Sequence, residues 1–153
     1  MSELMKNAHS AASSLLQSDE AQLYEELGLR LKAISADESK AGSFEPDVVY
    51  DRAQMGLQDD LAKLGRRIFA RWNTECYQLI CGKDQGDSAD RKEILGALGI
   101  GDVALASALS ALLVSHFAVA PAIAAVIAAI VAKRFFRPAF EEFCTTWSVG
   151  LKS

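Results

Sequence analysis

Five side chains in this sequence have types suited to nucleophilic or metal chemistry: His9, His116, Cys76, Cys81 and Cys144. A cysteine nucleophile needs a base beside it, and His116 with Cys76 or Cys144 is one such pairing that a fold could assemble. The spacing gives no support to it, and cysteines on helical stripes read first as small core residues. No CxxC is present and three is an odd count, so neither a zinc site nor a secreted disulfide framework is expected. Glu141 and Glu142 are adjacent, and adjacent residues of a helix point in different directions, so they read as solvated surface. Gly96, Gly99 and Gly101 follow a helical pattern and no GK[ST] accompanies them, which makes them a tight turn and not a phosphate cradle. Arg66, Arg67 and Arg71 cluster near Asp59, Asp60 and Glu75, the pattern of a salt-bridged solvent face. The expectation is a protein that is not an enzyme, with no catalytic residue, cofactor or metal.

The remaining chemistry is hydrophobic. Between Asp102 and Lys133 lie thirty residues, Val103 to Ala132, without a formal charge. Unbroken, they would make a helical rod of about 45 Å, against a bilayer hydrocarbon core of about 30 Å. Twelve of the thirty are alanine and three are serine, with His116 and Pro121 near the middle, so the run is weak as a committed membrane anchor. Pro121 suits the first turn of a new helix, which puts a turn near 115–120 and predicts two helices folded back on each other. Each arm of about fifteen residues reaches about 22 Å, short of a full crossing.

The aliphatic contacts of the first arm are Val103, Leu105, Leu109, Leu112, Leu113 and Val114; those of the second are Ile123, Val126, Ile127, Ile130 and Val131. Lys133, Arg134 and Arg137 follow at once, interleaved with Phe135 and Phe136, as cations and aromatics do at the end of an interfacial apolar helix. These residues are the candidate contacts to a membrane or to another protein. In composition and length the hairpin resembles the central hydrophobic hairpin of pore-forming colicins, which implies a hairpin buried in a soluble form and released into a membrane. Ala104/Ala108, Ala118/Ala122 and Ala124/Ala128/Ala132 recur every four positions, a flat face suited to internal packing or to a homo-oligomer.

Helical periodicity supplies the elements that would hold this hairpin. Residues 2–17 form a weak amphipathic helix, and Ser18 is a plausible N-cap for the next, whose Leu23, Leu27, Leu31 and Ile34 share one face. The polar stretch 35–44 reads as a loop. From Asp47 toward Cys81 the apolar positions Leu57, Leu61, Leu64, Ile68, Trp72, Cys76 and Leu79 predict one long helix, with Gly56 and Gly65 as bends and Gly82 as its stop. A turn-rich loop at 82–90 is expected to be exposed, with a short helix capped by Asp87 or Ser88 after it, and Asp102 capping the apolar run. Beyond Pro138 a last helix carries Phe140, Phe143 and Trp147 in line with Phe136.

The fold class predicted is all-α: a single-domain bundle of six or seven helices over 1–153, with a central apolar hairpin near its C-terminal end. Residues 1–81 supply the amphipathic cover and 91–153 the hairpin and aromatic helix. Residues 1–93 hold 12 Lys+Arg against 17 Asp+Glu, whereas 94–153 hold 4 against 3. The total of −4 argues against a nucleic-acid partner. The N-terminal sequence lacks the long apolar core of a secretory signal, so the default expectation is the cytoplasm, with recruitment to the cytoplasmic face of a membrane. The leading functional expectation is a membrane-active protein, soluble at rest, whose segment 94–137 inserts and permeabilises or anchors, after release by a partner or by proteolysis at the 82–90 loop. The alternative is a soluble interaction module (an adaptor, inhibitor or assembly subunit) in which the hairpin is core.

Overall fold

The structure, a computed structural model, describes residues 2–46, 58–81 and 88–151. Among these residues it is an all-α bundle with no strand. The helices are α1 (Ser2–Leu15), α2 (Glu20–Ala36), α3 (Gln58–Cys81), α4 (Ser88–Ile100), α5 (Asp102–Phe117), α6 (Pro121–Phe135) and α7 (Phe140–Leu151). A 3-10 turn, Glu38–Gly42, lies in the stretch expected to be loop. The expected helical start at Asp47, the bend at Gly56, the stop at Gly82 and the loop as far as residue 87 lie outside the described residues.

Local chemistry sets most boundaries. Asp19, not Ser18, caps α2: its carboxylate accepts from the Gln22 N–H at 2.8 Å and the Gln22 side chain returns to the Asp19 N–H at 2.9 Å. The α4–α5 break falls at Gly101, whose φ of 154° is open to glycine and strained for other residues. Gly101, and not Asp102, occupies the cap position, while Asp102 begins the helix as its first-turn acid. Three residues join α5 to α6. Ala118 adopts the left-handed conformation (φ 53°), and the Val119 N–H donates to the Leu113 carbonyl at 3.2 Å. Pro121 then starts α6 as expected.

α6 is the centre of the bundle. α5 packs along it as the other arm of the hairpin, and α1, α2 and α7 close around it. α1 and α4 cover the outer side of α5, while α3 packs chiefly on α2 and reaches α6 only weakly. The α2–α3 pair is antiparallel, because Gly28 meets Leu61 and Gly65 meets Tyr24. A Cβ at either glycine would strike a backbone carbonyl of the facing helix, so Gly65 permits close approach and is not a bend. This contact also turns α3. Its buried line runs Leu61, Gly65, Phe69, Asn73, Cys76 and Ile80, whereas Leu64, Ile68, Trp72 and Leu79 of the expected stripe are only half-buried.

Candidate functional site

The candidate site is the hairpin and the groups that hold it. Every residue from Ala122 to Ala132 on α6 is buried, as is every residue from Leu105 to Leu113 on α5. Of the residues singled out by sequence, Leu105, Leu109, Leu112, Leu113, Ile123, Val126, Ile127, Ile130, Val131 and Phe135 lie in this core. Val103, Val114 and Phe136 pack against it half-buried. The alanine repeats divide. Ala124, Ala128 and Ala132 are inside the bundle, Ala104 is half-open at its edge, and Ala118 lies in the connection between the two arms. Ser107 and Ser110 are buried, and their hydroxyls donate to the Val103 and Ala106 carbonyls of their own helix, each at 2.8 Å. These two serines are therefore satisfied within α5 and would keep those bonds in any surroundings.

Both ends of α6 are fastened by polar contacts. At its N-terminal end Arg30 of α2, only 5% exposed, donates from one guanidinium nitrogen to the Ala122 carbonyl (2.9 Å) and to the Phe44 carbonyl (2.7 Å). Its Nε pairs with Glu26 at 2.7 Å, so the buried charge is both compensated and hydrogen-bonded. At the C-terminal end Lys133 donates to the Leu16 carbonyl, just past α1, at 3.1 Å. Arg134 donates to the Tyr24 hydroxyl at 3.0 Å, pairs with Glu20 at 3.2 Å and lies over the rings of Phe69 and Phe135. Arg137 is exposed and donates to the Phe136 carbonyl at 2.7 Å. Lys133 and Arg134 are thus both tied to the N-terminal helices, the first at the end of α1 and the second on α2.

Below Phe135 the aromatic helix α7 packs through Trp147, which stacks on Phe135 and meets Tyr77 and Phe143 with centroids 5.4–5.8 Å away. The Trp147 indole N–H donates to the Asn73 side-chain oxygen at 2.6 Å, both residues being buried. About two turns beyond Asn73 on α3 and one turn before Trp147 on α7, Cys81 and Cys144 are joined as a disulfide, with their Cα atoms 5.7 Å apart. The cysteine expectation is corrected here: the odd count conceals one bonded pair and one free thiol. A separation of 63 residues carries no sequence signal, and only the packing of α7 on α3 brings the pair together.

The pairing of His116 with Cys76 or Cys144 gains no support from this arrangement. Cys144 is bonded, and burial pushes the Cys76 thiol up to about 12. Burial also raises the Tyr24 hydroxyl, an effect the Arg134 guanidinium partly offsets. Among the described residues no three His, Cys, Asp or Glu side chains gather as a metal site. None of the helices described is long and apolar enough to cross a membrane.

Two surface features flank the hairpin. A groove of about 540 Å³ between α1, α4 and α5 is lined by small residues (Gly96, Ala97, Ala104, Ala108), with His9 and Lys6 at its edge and Ile100, 82% exposed, beside them. A depression of about 690 Å³ between α2 and α3 is lined by Lys32, Lys63, Leu64, Arg66 and Arg67, with Asp60 as its one carboxylate. The expected salt-bridged face is absent among the described residues. Arg66 instead lies over the Tyr24 ring at 5.2 Å and Arg71 over Trp72 at 5.8 Å. Sequence reasoning missed Arg30 and Asn73, because a single polar residue on an apolar face gives no periodic signal.

No protein-family model, curated protein or solved structure matches this chain.

Proposed function

We propose that this chain is a non-enzymatic, membrane-active helical protein that rests with its hairpin enclosed and acts by moving residues 94–137 into or onto a membrane. The observation that carries the reading is the burial of every residue from Ala122 to Ala132 of α6, an uncharged stretch, by helices that touch it through side-by-side packing and polar fastenings at its ends. Exposing Ile123, Val126, Ile127, Ile130 and Val131 to water would cost about 8–15 kcal/mol, comparable with the whole stability of a domain. The hairpin can therefore leave its cover only for another apolar phase, and the internally bonded Ser107 and Ser110 oppose that transfer little. Arms of 16 and 15 residues extend about 24 and 22 Å, so the two enter together as a shallow wedge, with Lys133, Arg134 and Arg137 at the headgroups. Self-association in the membrane would use the small faces of Ala124, Ala128 and Ala132, which are freed only when the cover leaves. Action at the cytoplasmic face remains part of this proposal; in a reducing cytosol the Cys81–Cys144 bond would open.

A soluble interaction module is the second reading, favoured by the groove between α1, α4 and α5. Its small lining residues and the exposed Ile100 suit a helix laid into it.

Dye release from phospholipid vesicles separates the two. Ala125 is buried mid-way along α6, and Ala125→Lys would cost about 2.5–3.5 kcal/mol at a bilayer centre. That variant should abolish release, whereas Ser107→Leu combined with Ser110→Leu should raise it, since leucine favours lipid. If both variants merely melt earlier and the vesicles stay sealed with every chain, the interaction module stands instead.

A further inference from the structure

The cations of the α2–α3 depression have no role in holding the hairpin, and their arrangement is unfavourable in the resting fold. Lys63, Arg66 and Arg67 lie three and four residues apart on α3, the spacing that brings side chains together, and all three are exposed. Lys32 of α2 joins them across the antiparallel helix pair, and half-buried Leu64 lies among them. Among the described residues none of the four makes an ion pair, and Asp60 offsets one charge at most. Like charges at this spacing repel, and the described residues that line the depression carry four cations against one carboxylate on a chain whose total is −4. Such a patch is relieved by an array of anions and not by water.

We infer that this face is a docking surface for a membrane leaflet containing anionic phospholipid. The inference rests on the membrane-active reading above and names the surface it acts on. Charge complementarity selects the occupant: phosphate-bearing headgroups spread in a plane can meet Lys32, Lys63, Arg66 and Arg67 at once, and Arg66 has its guanidinium 5.2 Å from the centre of the Tyr24 ring. On a chain whose total is −4, a local excess of cations favours the orientation that turns this face to an anionic leaflet. In that orientation the α2–α3 layer lies between the leaflet and α6. Docking thus precedes insertion, and the two steps can fail separately.

The test is flotation of the intact, folded chain with phosphatidylglycerol–phosphatidylcholine vesicles and with pure phosphatidylcholine vesicles. Binding is expected to the anionic vesicles alone and to weaken as salt rises. Lys63→Gln and Arg67→Gln should each weaken it about fivefold, and Asp60→Asn should strengthen it by a similar factor. These positions are exposed, and unchanged circular dichroism establishes that the variants fold. Equal binding to neutral vesicles, indifference to all three substitutions, or binding to a DNA duplex without binding to vesicles would overturn the docking surface. Charge-dependent binding to vesicles that never leak would sustain the docking surface and overturn hairpin insertion. Leakage that ignores the substitutions would do the reverse.

Discussion

Cys76 illustrates how little the residue types alone disclose about reactivity. It lies on the α3 line that faces the core, and its thiol is raised from 9.0 to about 12 by desolvation, with Glu75 adding to the rise. A raised thiol keeps its proton in the folded chain after the unfolded chain has lost it. Its contribution to stability is therefore complete below pH 9 and is lost as pH climbs toward 12, at about 1.4 kcal/mol per pH unit. Tyr24, also raised by burial, acts in the same direction at higher pH. Chemical denaturation from pH 8 upward should record this decline, and Cys76→Ala should remove most of its first part. Alkylation of the oxidised chain at pH 8 should modify no cysteine until it unfolds, and then one. Burial of Cys76 was legible from its place on an apolar stripe. The pairing of its two neighbours in type was not, since a contact between helices 63 residues apart leaves no trace in local spacing.

Among the elements, the hairpin was the most legible and α3 the least. Glycine and proline punctuate α5 and α6 at Gly101 and Pro121, and thirty uncharged residues leave little choice of where they go. The face of α3 was misjudged because apolar counting ignores glycine, whereas the packing is decided there: Gly28 and Gly65 let two backbones meet. Alanine is the better helix former by about 1 kcal/mol, so propensity alone predicts that Gly28→Ala or Gly65→Ala would stabilise. The contact predicts the opposite sign, because the new methyl strikes the carbonyl of Leu61 or Tyr24 and must push the helices apart, at about 1–3 kcal/mol or more. Gly96→Ala on α4 is the control, having no atom within 4 Å of the added Cβ. Thermal melts should show it stabilised by up to about 1 kcal/mol while the other two fall.

For the whole molecule, charge and hydropathy divide the labour. The acidic first 93 residues supply α1, α2 and α3, and the apolar remainder supplies the pair they enclose. That division was readable from composition. The polar fastenings were not, because Arg30, Lys133 and Arg134 reach the Ala122 and Leu16 carbonyls and the Tyr24 hydroxyl only when α6 meets the N-terminal helices. The Cys81–Cys144 bond adds a constraint on the unfolded chain as well. On the loop-closure model a 63-residue separation contributes about 4 kcal/mol, so Cys81→Ser with Cys144→Ser should lower the denaturation midpoint markedly. The same loss should follow when dithiothreitol is added to the unaltered chain, and no further loss when it is added to the double variant.

That bond also makes the chain a closed ring with two tails. α4, α5 and α6 lie on the ring, α1 to α3 form most of one tail, and the last residues of α7 form the other. A protease that cuts anywhere between residues 82 and 143 opens the ring but parts nothing, since the fragments stay threaded to each other through sulfur. A thiol reductant that opens the bond leaves the backbone whole and also parts nothing. Parting α1–α3 from the hairpin by a cut between residues 82 and 101 is thus a conjunction: that hydrolysis and a reduction of the bond must both occur, in either order. A cut between residues 37 and 57 falls on the tail and severs α1 and α2 from the hairpin without any reduction, so the bond guards against cleavage only within the ring.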